Sequence, residues 1–210
     1  MNKKIVHDAL ILFAFTVVLG LMLALVYGIT KEPIAKVNHE KTQAAYKQVF
    51  SDADSFEPYA EFSPEDAAQL MTEGGYEDQI MDVQVAKDAS GNALGYVITV
   101  TAKDASQAPI TFSVGIRNND AGDGYLINGY SITSIAETPG LGMKATEEKF
   151  AGQFANSKVT DYYQVVKSAP LAANEIESIS GSTITSAAMA NGVNACIYYY
   201  ENILSGGAEG

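Results

Sequence analysis

Ser180-Gly181-Ser182-Thr183-Ile184-Thr185-Ser186 gathers five hydroxyl side chains and one glycine directly before an apolar-periodic segment, Ala187–Leu204. Such a cluster at the mouth of a helix does one of two things. Its side-chain oxygens cap the first turn, or its backbone N–H groups, with the positive end of the helix dipole, seat a phosphate. A second stretch with chemical potential is Glu137-Thr138-Pro139-Gly140-Leu141-Gly142. Pro139-Gly140 is a tight-turn pair, and Gly142 adds a place where backbone approaches a planar ligand closely. A flat ring stacked on that turn is one reading; a plain strand-to-helix connection is the other.

Other chemistries lack their residues. The chain of 210 residues has a formal net charge of −12, which disfavours nucleic acid, where affinity rests on Lys and Arg against phosphates. The single cysteine, Cys196, forms no internal disulfide, CxxC pair or cysteine-ligated cluster. The two histidines, His7 and His39, lie near the N-terminus, leaving the main domain no histidine for a nucleophilic triad or a metal. No catalytic side chain and no metal ligand is expected. The acidic turn Asn118–Gly124 does not match the spacing of a calcium loop.

The elements that position the two stretches follow from pattern. After a short N-terminal segment, residues 1–8, Ala9–Thr30 is an uncharged, largely apolar run of ~22 residues, ~33 Å as a helix. It is too long, and lacks a cleavage site, for a signal peptide. A single transmembrane anchor over 9–30 is expected, with a membrane-proximal amphipathic stalk over 31–50 carrying Ile34, Val37, Ala44, Ala45 and Val49. Lys3 and Lys4 flank one end and Lys31, Lys36 and Lys41 the other, so charge does not orient it. A domain over 51–204 follows, then a flexible tail, 205–210. Ser63-Pro64-Glu65-Asp66 starts a short helix to about Met71. Period-two runs predict strands at Ile80–Ala86, Leu94–Thr101, Ile110–Ile116 and Tyr125–Ile135. Ala145–Phe154 is expected to be helical and Tyr162–Val166 a short strand. The last helix presents one apolar face, carrying Met189, Val193, Cys196, Ile197, Tyr200, Ile203 and Leu204. The fold class is α+β, an antiparallel sheet with flanking helices behind one N-terminal transmembrane helix.

Three segments together resemble one family. Ser180–Ser186 is similar to the Ser-Gly-Ala-Thr-x-Thr-Ser flavinylation motif, with Ser182 at the usual alanine. Glu137–Gly142 is similar to the Glu-Thr-Pro-Gly-Leu-Gly signature that accompanies it. Ile29-Thr30-Lys31-Glu32-Pro33-Ile34 resembles the membrane-proximal segment of the same proteins. These are the FMN-binding domain proteins of the Rnf electron-transport complex, its G subunits, related to the C subunits of the sodium-pumping NADH:quinone reductase. Glu177 stands where that family usually has aspartate. The resemblance implies covalent FMN, held as a phosphoester on Thr183. Ser180, Gly181, Ser182, Ile184, Thr185 and Ser186 would surround the phosphate, and Glu137, Thr138, Pro139, Gly140, Leu141 and Gly142 the isoalloxazine. Lys144 is either a solvated lysine or a charge beside the reduced ring. It further implies an electron carrier in an ion-translocating ferredoxin:NAD+ oxidoreductase. The expected partners are the other membrane subunits, a flavin transferase using FAD and magnesium, and membrane lipid. The expected location is a single-pass site in the cell membrane, the main domain extracytoplasmic. The same flavin chemistry in a quinone reductase, or a non-catalytic anchored module whose Ser/Thr cluster only caps, are the alternatives.

Overall fold

The computed structural model describes residues 3–118, 124–169 and 172–205, apart from the side chain of Asn118. The chain divides into two units, Met1–Lys41 and Thr42–Gly210. In the first, the part of α1 (Lys3–Val49) up to Lys41 is helical throughout, with Pro33 inside it. Its most apolar 18-residue window has a mean hydropathy of 2.9 and no buried residue. Leu10, Phe13, Leu23 and Ile29 stand uncovered along it, a surface suited to hydrocarbon rather than water. Thr16 donates to the Phe13 carbonyl and Thr30 to that of Val26, each at 2.8 Å, so these hydroxyls are satisfied inside the helix, as lipid requires.

The second unit is built on a six-stranded antiparallel sheet in simple meander order. Its strands are β1 (Ser55–Pro58), β2 (Gln79–Lys87), β3 (Ala93–Ala102), β4 (Ile110–Asn118), β5 (Tyr125–Ser134) and β6 (Ser157–Lys158). In β4, Ile110, Phe112, Val114 and Ile116 alternate onto one face and are fully buried, the period that the sequence carries. Ser113 lies opposite Thr99, their hydroxyls 3.0 Å apart, and Thr101 opposite Thr111, also at 3.0 Å, so neighbouring strands satisfy each other's polar groups. Helix α2 (Pro64–Glu73) starts where expected, with the Asp66 N–H donating to Ser63 Oγ.

One sheet face carries α4 (Thr183–Tyr199), which continues as a π-helical turn, Tyr200–Leu204. Gly192 of α4 faces Phe112: a Cβ there would lie 2.6 Å from the ring, so glycine sets how closely helix and sheet pack. The other face is covered by Tyr46, Val49 and Phe50, clustered with Ala53, Ala86 and Val97. The globular unit therefore takes in Thr42–Phe50, which pattern alone placed in the stalk. β7 (Gln164–Val166) and β8 (Glu175–Glu177) form a separate parallel pair.

Four expectations change. β1 adds a strand at the start of the 51–204 domain, where no period-two run predicts one. The helix expected over Ala145–Phe154 is broken into a 3₁₀ turn (Gly142–Thr146), a single α turn, α3 (Glu148–Ala151), and another 3₁₀ turn (Gly152–Phe154). Glu147, whose backbone is extended with ψ of 143°, interrupts it. Helix α4 is buried around most of its circumference rather than on one face. The hydroxyl cluster does not cap α4 through its side chains, as described below. Of the acidic turn at 118–124 and the tail at 205–210, residues 119–123 and 206–210 lie outside the described residues. Cys196 is fully buried, and burial pushes its thiol well above the usual range, which makes it inert.

Asp78, just before β2, is only 6% exposed, and its Oδ1 has no hydrogen-bond partner. Burial, then the neighbouring Asp104 and Glu77, raises its carboxyl to about 6. A carboxyl whose folded value exceeds its unfolded ~3.9 binds its proton more tightly in the folded chain. The stability this gives is present below about pH 4 and lost as pH rises through about 6. Asp78→Asn is therefore expected to change stability little at pH 4 and to raise it by about 2–3 kcal/mol at pH 7, measured as the difference between variant and native urea midpoints across that range.

Candidate functional site

The approach to α4 is fixed by short bonds. After β8, Ser178 N–H donates to the Val166 carbonyl at 2.8 Å and Ser182 N–H to the Ile179 carbonyl at 2.9 Å. Gly181 makes the turn with φ of 78°, a conformation open to glycine at no steric cost. Ser186 then takes the role expected of a cap, but facing backwards. Its Oγ donates to the Ser182 carbonyl and accepts from the Ile179 N–H, both at 2.9 Å.

Ser182 occupies the N-cap position with no side-chain bond to the helix. Among the described residues no acceptor meets the N–H groups of Thr183, Ile184 or Thr185. The helix thus opens on unpaired donors and the positive end of its dipole. Thr183 is exposed there and Ile184 is 59% exposed. Thr185 is only 1% exposed, and its Oγ1 has no hydrogen-bond partner, an orphaned hydroxyl of the kind that marks an unfilled site.

The glycine turn lies against this mouth. Leu141 N–H donates to the Thr138 carbonyl at 3.1 Å, and Gly140 has φ of 76°. Proline then glycine at the central positions is what a type II turn requires. A Cβ on Gly142 would lie 2.5 Å from Glu137 Oε2 and 2.8 Å from Thr185 Oγ1, so turn and helix meet where only hydrogen fits. A Cβ on Gly181 would lie 3.2 Å from Leu141 Cδ2. The structure therefore joins the two stretches at Gly142–Thr185 and Leu141–Gly181. Glu137 and Gly142 are buried, while Thr138, Pro139, Gly140 and Leu141 line the turn with Leu141 facing outward, 43% exposed.

Ser180 lines a cleft of about 180 Å³ between the 3₁₀ turn at Gly142–Thr146, α3 and the Ser178–Ser180 loop. Lys144, Phe150, Gln153 and Ile179 also line it. Larger polar hollows of about 260 and 400 Å³ lie elsewhere, beside Gln48 and Asn128, away from both stretches.

Gln107, Gln153, Tyr130 and Asn194, which pattern reading passed over, hold this arrangement together with Glu137. Glu137 Oε1 accepts the Gln107 N–H at 3.1 Å, tying the β3–β4 connection to the turn. Gln153 Oε1 accepts the Glu177 N–H at 2.7 Å, and its Nε2 donates to the Glu177 carbonyl at 3.2 Å. Tyr130 donates to the Ala145 carbonyl at 2.6 Å, and Asn194 clamps the Tyr163 backbone through both its amide atoms at 2.8 and 2.9 Å. Glu137 apart, none of these carries a sequence signal, and Gln107 contributes only its backbone N–H. Among the described residues no three His, Cys, Asp or Glu side chains stand together as a metal site.

Comparison with known proteins gives two family matches, the FMN-binding domain over residues 106–198 and the RnfG N-terminal region over residues 1–49. The G subunit of the Na(+)-translocating ferredoxin:NAD(+) oxidoreductase complex of Acetobacterium woodii is 31% identical over 206 residues, covering 96% of this chain and 94% of that protein. The G subunit of the ion-translocating oxidoreductase complex of Methanosarcina acetivorans is 27% identical over 198 residues, covering 94% and 95%. The crystal structure of the C subunit of the Na(+)-translocating NADH-quinone reductase from Parabacteroides distasonis aligns with a TM-score of 0.50 at 21% identity, covering 71% of this chain and 77% of that one. This last likeness concerns the fold.

The open mouth of α4 has a direct readout. In cofactor-free protein the amide protons of Thr183, Ile184 and Thr185 are expected to exchange near the rate of unstructured peptide. Those of Val193–Ile197 are expected to be protected by at least about a thousandfold, as measured by hydrogen-exchange NMR.

Proposed function

The chain belongs to the family of Rnf complex G subunits, with its FMN-binding domain and N-terminal apolar helix, and from that premise we propose that it carries FMN as a phosphoester on Thr183 Oγ1 and relays electrons within an ion-translocating ferredoxin:NAD+ oxidoreductase. The observation that carries the attachment site is the exposed Thr183 hydroxyl at a helix mouth whose first N–H groups are unpaired.

The residues present fit the group. The N–H groups of Thr183, Ile184 and Thr185 would take the phosphate oxygens, and the helix dipole would offset their charge. Thr185 Oγ1, buried and without a partner, supplies a further donor. Ser182 and Ser186 are committed to shaping the loop, and Gly181 leaves the space beside Leu141. The exposed Leu141 and Ile184 offer apolar contact to the flat ring, with Thr138, Pro139 and Gly140 along its edge. Glu137 and Gly142 hold that turn against the helix. FMN supplies one- and two-electron transfer when bound, and the protein sets its place and potential.

The attachment would be made by a separate flavin transferase using FAD and magnesium, with which a globular unit holding no histidine to serve as a base is consistent. Lys3–Lys41 anchors the protein among the other membrane subunits and lipid, and the acidic globular domain stands outside the cytoplasm. Agreement with the G subunits over nearly their whole length favours this assignment over membership of a quinone reductase, for which the fold alone speaks.

Co-expression of the full chain with a flavin transferase is expected to add the mass of FMN less one water and to give flavin absorbance that survives denaturation. Thr183→Ala is expected to abolish both, while its thermal unfolding stays close to that of unloaded native protein. An unchanged native mass, with a control substrate loaded in the same cells, overturns the proposal.

A further inference from the structure

The cleft of about 180 Å³ beside Ser180 adjoins the Thr183 mouth, and nothing described so far occupies it. It opens between the two segments that close contact at Gly142–Thr185 brings together. Buried Phe150 and Ile179 give it an apolar lining. The cations lining it are Lys144 and Lys149, and the carboxylates are Glu147 and Glu177. Lys144 is half-buried; Lys149 is exposed on α3.

The backbone at Lys144 is held on both sides. Its N–H donates to the Leu141 carbonyl and its carbonyl accepts the Glu147 N–H, both at 3.0 Å. The next residue is held by the Tyr130 hydroxyl. Among the described residues Lys144 forms no ion pair, although the chain carries 25 acidic against 13 basic residues. A lysine whose backbone is fixed and whose ammonium is left unpaired in so acidic a protein, beside the proposed flavin site, is placed to meet a negative charge that arises only at work.

Resting on the Thr183 reading, we infer that Lys144 is a potential-setting residue: its ammonium meets the pyrimidine end of the isoalloxazine where the ring, laid on Leu141 beside Gly181, runs past Ser180 into this cleft, and stabilises the negative charge that reduction puts on N1 and the C2 carbonyl. The balance is two electrons and one proton, taken up at N5, to give the anionic reduced ring, instead of two electrons and two protons. A nearby cation favours the singly protonated product, while Glu147 and Glu177 oppose it. A lysine that merely solvates the surface would leave this equilibrium untouched.

The test uses full-length protein loaded by the transferase, its FMN content checked by mass, and titrated with dithionite in a spectroelectrochemical cell. Lys144→Met is expected to lower the equilibrium constant for two-electron reduction at pH 7 at least tenfold, about 30 mV in potential. It is also expected to move upward the pH at which the potential changes slope. Lys144→Arg keeps the charge and should stay within threefold of native, as should Lys149→Met. Lys144→Gln is measured alongside, and stands in if the methionine variant does not fold. An unchanged potential in loaded Lys144→Met, an equal shift in Lys149→Met, or a folded Lys144→Met that takes no FMN each overturns the inference while Thr183 attachment stands. Native protein that gains no mass overturns the attachment itself.

Discussion

Unpaired N–H groups at the first turn of α4 are the constraint around which the globular domain is arranged. A helix end with free donors in a protein interior is costly, and leaving it open at the surface is tolerable only if water or a ligand meets it. The chain keeps it open by diverting the nearest hydroxyls. Ser186 Oγ spends its bonds on the Ser182 carbonyl and the Ile179 N–H, so the cluster shapes a rigid loop without covering the donors. The same turn buries Thr185 with an idle hydroxyl against Gly142. A more stable sequence would cap here; this one gives up that stabilisation, typically ~1 kcal/mol, where a phosphate can replace it.

Rigidity behind the opening comes from packing. Aromatic rings run from the sheet to the floor of the cleft: Phe112 to Tyr130 at 5.6 Å, Tyr130 to Phe154 at 5.4 Å, and Phe154 to Phe150 at 5.8 Å. Tyr163 joins Phe154 at 5.1 Å, and the Asn194 clamp fixes Tyr163 to α4. The rings prefer such tilted and edge-on arrangements. Both loops of the site are thus referred to one core, and the close approach of Gly142 to Thr185 is held from behind by groups that never reach the surface.

Much of this was legible in the chain, for physical reasons particular to each element. The four long strands alternate because their larger apolar side chains share one face, although β3 and β4 are buried on both faces in their middle, and Ser63-Pro64 announces α2 through capping chemistry. The hydroxyl cluster and the glycine turn were visible because they break ordinary composition within a few residues. Their contact was not, since Gly142–Thr185 depends on distances set by the whole sheet. Gln107, Gln153 and Asn194 act through single amide groups in loops and on a helix, where no period distinguishes them from solvated neighbours. The cover that Tyr46, Val49 and Phe50 provide was hidden because the stretch over 31–50 reads as a stalk, and no period in it marks the residues that meet the sheet. Ser182 has a side chain suited to a cap, yet at the N-cap position, with ψ of 49°, it makes no side-chain bond to the helix.

The main sheet ends in very short strands. β1 has four residues and closes on Pro58, which lacks an N–H, and β6 has two. Little backbone is therefore offered for another chain to extend the ladder. A chain approaching either end of this sheet would meet side chains rather than a long open ladder.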